Sequence, residues 1–318
     1  MGLPSVSVAI CTRDRPVSLE ACVAAVCAQT HKPKELIVVD DGRLAPDVRQ
    51  RLGGRAQHAD IPWRYLRKTE PGLTRSRNVA LAHSNGEIVQ FFDDDAEPAY
   101  DYVREIAALF AADADGAVGV LGGTVIEPAL AGPGGKMWRL VSGLAGWWAL
   151  GRRGMRRGPW PAGMRGAGRV VATANLAGAA LAVRRTAAWP PGFDESLTGY
   201  GLGEDRELAY RLARTHLVGC ATRARAVHHH DPRGRVNPGQ YGHAAAHNYC
   251  YILHKNVPMG LGEWVVVLWG LLVLAGLRLV CSLALRHERE RHLDELRGMI
   301  RGGGCWLRQS LMRAAFCW

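Results

Sequence analysis

Between Pro128 and Phe193 the chain has no aspartate and no glutamate. The same stretch holds ten cations: Lys136, Arg139, Arg152, Arg153, Arg156, Arg157, Arg165, Arg169, Arg184 and Arg185. They nearly match the formal net charge of +11, which 40 Lys+Arg against 29 Asp+Glu leave. An excess of this kind points to an anionic partner without choosing among a phosphorylated substrate, a membrane surface and a nucleic acid. The eight cysteines form no CxxC pair and no zinc-ribbon spacing, so reduced thiols are expected. The opening MGLPSVSVAICTRDRP lacks the basic start, apolar core and small-residue cleavage site of a secretory signal, and the expected setting is cytosolic. No internal repeat is visible, which excludes solenoids and propellers. With 48% hydrophobic and 22% charged residues over 318 positions, the chain has globular composition and enough length for a core without staples.

What is present alternates. Apolar runs at Val6–Cys11, Glu35–Val39, Trp63–Arg67, Glu87–Phe92 and Ala117–Glu127 read as strands. Helical spacing fits Ser18–Gln29 (with Ser18 as N-cap), Pro46–Leu52, Leu73–His83 and Asp101–Ala112. Continuously apolar strands separated by helices imply a mainly parallel α/β sheet covered on both faces. In such sheets ligands sit at the carboxyl ends of strands.

Two acidic clusters lie at such ends. Asp93-Asp94-Asp95 follows EIVQFF, and Asp40-Asp41 follows ELIVV. Three adjacent carboxylates repel one another, and a hard divalent cation relieves that cost. Read alone, the triplet is equally a solvated acidic turn, and Asp40-Asp41-Gly42 a type I turn. Gly72–Asn78 brings arginines to a helix start, where free N–H groups favour anions. Gly201–Asp205 precedes a helix over Arg206–Arg214 and offers either dipole partners or a general base. His228-His229-His230 offers imidazoles for a metal or a phosphate, or is a polar loop.

In this order, VSVAICTRDRP, ELIVVDDG, GLTRSRNVALAHSNGEIVQFFDDD, AGAALAVRR with GFDESL and GEDREL, and VHHH resemble a family 2 glycosyltransferase of the GT-A fold, over Pro4 to Val257. The resemblance implies a Rossmann-like mixed sheet, mainly parallel, and metal-assisted transfer of a sugar from a nucleotide diphosphate sugar to an acceptor hydroxyl with inversion. It places Thr12, Arg13, Asp40, Asp41 and Asp94 with the nucleotide sugar, and Arg77 near the diphosphate. Asp95 is implied for an Mn²⁺ or Mg²⁺ ion, Asp93 for the ribose and the ion, and His228 (with His229 as its rival) for an extra ligand. Asp205 is implied as catalytic base, and Glu204 as an acceptor contact or a support for that base. Expected partners are the donor, a glycan, lipid-linked or small-molecule acceptor and a membrane surface, with no nucleic acid. Competing functions are a sugar-phosphate nucleotidyltransferase, which ICTRDRP fits poorly, and a non-catalytic basic membrane-binding protein, which leaves the acidic strand ends unexplained.

The expected partition is 1–127 for the donor half, 128–258 for the acceptor half with the base, and 259–318 for an apolar helix with a basic tail. Trp264–Leu285 carries one charge, Arg278, and is about 33 Å long at ~1.5 Å per residue. The arginine-rich tail resists export. A peripheral or re-entrant helix is therefore favoured over a crossing, placing the protein at the inner face of the cell membrane. Arginine with tryptophan in 128–193 suits a phosphate-bearing lipid-linked acceptor or an anionic membrane face, or is a solvated basic surface over core tryptophans. His243, His247, Cys250 and His254 recur on one side of a helix over Gly239–Asn256, as a zinc face or, more commonly, a core-lining one.

Overall fold

The computed structural model describes residues 2–146, 150, 155–156, 158–164, 169–197, 200–233 and 236–315. Trp147, Trp148, Arg152, Arg153, Arg157 and Arg165 of the basic segment lie outside the described residues. The chain divides into two units, neither contiguous in sequence. The first comprises 1–131, 155–194 and 205–234, and the second 132–154, 195–204 and 235–318.

The first unit is a nine-stranded mixed sheet covered by helices. Its strands are β1 (Val6–Thr12), β2 (Glu35–Asp40), β3 (Trp63–Arg67), β4 (Ile88–Asp93), β5 (Ala96–Pro98), β6 (Val118–Ile126), β7 (Val170–Ala172), β8 (Ala180–Arg184) and β9 (Leu217–His228). The order is β3-β2-β1-β4-β8-β6-β9-β5, with β7 also on β9. The run β3-β2-β1-β4 is parallel; β8 is antiparallel to β4 and β6, and β9 runs parallel to β6. Val8, Ile10, Leu36, Val38, Ile88 and Phe92 are buried in one core, as unbroken apolar runs require in a sheet covered on both faces. Parallel register brings the carboxyl ends together: Thr12 pairs with Asp40, and Cys11 with Asp93. At the other end of the order, β9 carries a bulge. Gly123 pairs with Ala221 but Thr124 pairs with Arg225, so Thr222, Arg223 and Ala224 have no counterpart on β6.

Helices α1 (Pro16–Cys27), α2 (Pro46–His58), α3 (Leu73–His83) and α4 (Tyr102–Ala111) connect the early strands. Ser18 is not the cap of α1, contrary to the sequence reading. Pro16 occupies the first turn, where its missing N–H costs nothing, and Ser18 Oγ donates instead to Asp231 at 2.5 Å. Helix α2 runs a turn and a half past Leu52 because Val48, Leu52 and Ala56 continue its buried stripe. Past β8 come a short turn, α6 (Arg185–Ala188), and α7 (Glu204–Leu212); α5 (Pro133–Leu144) belongs to the second unit. The described cysteines are free thiols, and burial pushes Cys11 up to about 12.

A buried ion pair ties α4 to the sheet. Asp113 accepts from the backbone of Ala117 at 2.9 Å and Val118 at 2.8 Å, and from Arg184 Nη2 at 2.8 Å. Removing that carboxylate strands a partly buried guanidinium and two amides. Asp113→Ala is expected to destabilise the first unit by about 3 kcal/mol, read as a lower urea midpoint. An unchanged midpoint would show that water replaces the carboxylate without cost.

The second unit is helical: α5, α8 (Pro238–Asn256), α9 (Leu261–Ala284) and α10 (Arg289–Ala315). Asn237 caps α8, its side chain accepting from Gln240 N at 2.8 Å. Helices α8 and α10 approach so closely that a Cβ at Gly242, Gly298 or Gly302 would strike the opposite backbone. Among the described residues, α9 is long and apolar enough to cross a membrane. Its inward stripe is Val267, Gly270, Leu274 and Ser282, and Arg278 falls on the same stripe by helical spacing. Arg278 Nε lies 2.7 Å from Glu295 on α10. The outward stripe, Leu261, Val265, Leu268, Trp269, Leu272, Leu279, Val280 and Leu283, is exposed and uncharged.

Candidate active site

The acidic triplet does not act as a block. Its three side chains leave the end of β4 in different directions and meet different partners. Asp93, about a third exposed, accepts from Arg77 Nη2 at 3.0 Å. Arg77, on α3, is itself buried. Its guanidinium lies 5.7 Å from the ring centre of Phe91 and 5.4 Å from that of Phe193, an aromatic clamp that fixes the fork. Asn78 holds Phe193 in place through two bonds, Nδ2 to the Phe193 carbonyl at 2.9 Å and Phe193 N to Oδ1 at 2.7 Å.

Asp94 turns inward. Thr12 Oγ1 donates to it at 2.7 Å and Arg15 Nη1 at 3.0 Å. Burial pushes its carboxyl up to about 6, against the opposing pull of Arg15 and Thr12. Thr12 and Asp94, both expected beside the nucleotide, are thus bonded to each other, while Arg13 on the same loop is exposed.

Asp95 is buried and lies where three segments meet. His228 Nε2 is 3.0 Å from its Oδ1, the Asp231 amide donates to Oδ2 at 2.8 Å, and Arg15 Nη1 is 3.6 Å from Oδ2. Burial would raise this carboxyl, but the imidazole, the amide and the guanidinium outweigh it and the group sits below its ordinary range. Burial would likewise lower His228; the carboxylates of Asp95 and Glu127 overcome that and raise it to about 9. Arg15 Nε also donates to the Arg233 carbonyl at 2.5 Å, which fastens the loop after β9 to the loop after β1.

Ligand atoms of Asp93, Asp95 and His228 lie within 4.8 Å of one another. Two carboxylate oxygens and one imidazole nitrogen are a donor set that suits Mn²⁺ or Mg²⁺. The expected His229 alternative does not join them: its ring meets Glu97 at 3.0 Å.

The second acidic pair is held by its own loop. Asp40 is fully buried, accepting from Gly42 N at 2.8 Å, Leu44 N at 3.0 Å and Tyr65 Oη at 2.6 Å. Asp41 meets Lys68 Nζ at 2.9 Å and Gly72 N at 2.8 Å, pinning the turn that starts α3. Both carboxylates therefore shape the floor beside β1.

Asp205 lies in the first turn of α7. Its carboxylate accepts from Gly178 N at 2.8 Å and Arg206 N at 2.7 Å. The Gly178 carbonyl in turn accepts from Arg77 Nη2 at 3.1 Å, the atom that also bonds Asp93. A chain of four groups, Asp205–Gly178–Arg77–Asp93, joins the expected base to the expected ribose and cation carboxylate. Glu204, the neighbouring residue, is buried. Sequence reasoning missed Arg15, Gly178 and Glu127. Arg15 stood in TRDRP and Gly178 in AGAALAVRR without any chemical signature beyond their motifs.

On α8, the expected histidine–cysteine face brings no three metal ligands together among the described residues. His247 meets Asn248 and Gln309 at 3.3 and 3.2 Å, His254 lies against Trp264 and Trp306, and Cys250 is buried. His247 and Cys250 line the core, whereas His243 is half-buried and His254 exposed.

Comparison with known proteins bears on the family and the fold. An uncharacterized protein of Sinorhizobium fredii is 37% identical over 121 residues, covering 37% of this chain and 13% of that protein. A glucosyl-dolichyl phosphate glucuronosyltransferase of Haloferax volcanii is 31% identical over 123 residues, covering 38% of each. The chain thus spans well under half the length of these relatives. The mannosyltransferase of Pyrobaculum calidifontis, solved with GDP-Man and Mn²⁺, superposes with a TM-score of 0.57 at 18% identity, over 95% of this chain and 88% of that one; this likeness is one of fold. The model of glycosyl transferase family 2 matches residues 7–165, and the chain belongs to that family of glycosyltransferases.

Proposed function

We propose that this glycosyltransferase moves a sugar from a nucleoside diphosphate to an acceptor hydroxyl with inversion at the anomeric carbon. The observation that carries the reading is the bonded chain from Asp205 through Gly178 and Arg77 to Asp93, which sets a candidate base and a candidate cation site on one rigid frame. Asp205 takes the proton of the attacking hydroxyl while the sugar passes through an oxocarbenium-like state. The Gly178 and Arg206 amides keep its carboxylate oriented, and Glu204 supports that helix start. Asp93, Asp95 and His228 would hold a divalent cation, which would supply positive charge against the diphosphate leaving group. Arg77 works by holding Asp93 and Gly178. Thr12 and Asp94 brace the loop that carries Arg13 toward the nucleotide, and Asp40 and Asp41 form the turn on which the base or ribose rests. Hydrolysis and transfer assays with UDP-, GDP- and dTDP-sugars, with and without Mn²⁺, test this. Metal-dependent sugar release from one donor supports it; nucleotide-sugar synthesis in place of release would favour a nucleotidyltransferase.

The acceptor read most naturally is lipid-linked, the class that the name of the Haloferax relative, a glucosyl-dolichyl phosphate glucuronosyltransferase, gives for that protein, and we place this chain at the inner face of a membrane. In the second unit, the outward stripe of α9 adjoins exposed Met137, Leu140 and Leu144 of α5, and Trp269 Nε1 donates to the Leu144 carbonyl at 2.9 Å. Lys136 and Arg139 of α5, and Arg286 and Arg289 just past the end of α9, are exposed, a composition suited to lying in an anionic interface. Arg278 is turned inward to Glu295, so the helix needs its partner and fits an in-plane position better than a crossing. The double variant Leu272→Glu, Leu283→Glu is expected to abolish flotation with phosphatidylglycerol vesicles. Undiminished flotation would remove α9 from the membrane contact.

A further inference from the structure

Strand β9 runs between β6 and β5. Its last residue, His228, pairs with Ala96 of β5 and follows Val227, which pairs with Ile126 of β6. The imidazole is therefore flanked by Asp95, just before β5, and Glu127, just after β6. Its Nε2 lies 3.0 Å from Asp95 Oδ1 and its Nδ1 3.8 Å from Glu127 Oε1. His230 Nε2 reaches the same Glu127 oxygen at 2.8 Å, and the two histidine ring centres are 4.0 Å apart. The backbone that turns His230 back over His228 has φ 57°, in the left-handed region. Ligand atoms of Glu127, His228 and His230 lie within 4.8 Å of one another, and all three side chains are partly exposed, so an ion reaches them from solvent.

The geometry points to a second cation site on Glu127, His228 and His230, of a chemistry different from the first. Two imidazoles and one carboxylate with an open fourth position match Zn²⁺. The carboxylates of Asp93 and Asp95 favour Mn²⁺ or Mg²⁺. The two sites share one ring. A neutral imidazole has one nitrogen lone pair, and its other N–H donates to an outer carboxylate. Zinc on Nδ1 leaves Nε2–H for Asp95; manganese on Nε2 leaves Nδ1–H for Glu127. His228 serves one site at a time, and zinc weakens manganese binding by withdrawing it. The sharing rests on the cation site read above, whereas zinc binding does not.

The test uses the full, metal-stripped chain. ZnCl₂ is titrated against a chromophoric chelator, and Mn²⁺ binding is followed by the EPR signal of the free ion, with and without zinc. His230→Asn and Glu127→Gln are each expected to weaken zinc binding at least about tenfold while leaving manganese binding within about twofold. Asn tolerates the left-handed backbone, and Gln keeps an acceptor for Nδ1–H. Bound zinc is expected to weaken manganese binding at least about tenfold in the parent protein and not in His230→Asn. Zinc affinity unchanged in Glu127→Gln would overturn the site, even if His230→Asn fails to fold. Manganese affinity indifferent to bound zinc would overturn the sharing. No sugar donor is present in either titration, so loss of the glycosyltransfer reading would not alter these outcomes.

Discussion

Asp205→Asn is expected to lower the turnover number for sugar transfer by about a thousandfold, within the range that a positioned general base contributes. The amide oxygen of Asn still accepts from Gly178 N, where Asp205 accepts at 2.8 Å, so the loop before β8 and the Arg77–Asp93 pair stay in place. What is lost is a group able to take the hydroxyl proton. Binding of the nucleoside diphosphate, measured by calorimetry with Mn²⁺, should stay within about twofold, because no donor contact is assigned to this carboxylate. Near-parent turnover would remove Asp205 as the base. A matched loss of nucleotide affinity would place the residue on the donor instead.

The second large effect is expected at Asp95. Asp95→Asn keeps the shape and an acceptor for the Asp231 amide, bonded at 2.8 Å, but discards the charge that faces His228 and Arg15. Mn²⁺ affinity should fall about 10–100-fold or more, and transfer at limiting Mn²⁺ should fall with it. Asp94→Asn is the control. Asp94 faces Thr12 and Arg15 and not the ligand cluster, so its replacement should move Mn²⁺ affinity far less. Equal losses at the two positions would mean that charge alone, and not ligation, draws the cation.

These adjacent residues also mark how far the sequence could be read. Burial on both faces leaves β1, β2 and β4 as unbroken apolar runs, and those runs locate the strands, their parallel sense and the acidic ends. How three consecutive carboxylates divide their partners is a different kind of fact. It depends on Arg15, which is 79 residues from Asp94, and no local pattern encodes that meeting. The same limit hid Gly178, whose part is played by its backbone amide and carbonyl, groups that every non-proline residue carries. Ser18 misled because a hydroxyl near a helix start is an ordinary cap, whereas here Pro16 sets the first turn and the hydroxyl serves Asp231. Helical spacing put His247 and Cys250 on one side of α8 but could not tell that both are buried while His254 is exposed, its ring lying against two tryptophans that arrive from later helices.

The bulge in β9 separates the fate of length changes along a single strand. Thr222–Ala224 have no counterpart on β6, so a residue gained or lost there can be taken up without moving the pairs on either side. Beyond the bulge, Ala226 pairs with Val125 and Val227 with Ile126. One residue added between Arg225 and His228 would reverse every side chain after it, sending the imidazole to the far face of the sheet. Among descendants of this sequence, insertions should therefore gather in the bulge and be absent from the four positions that follow it.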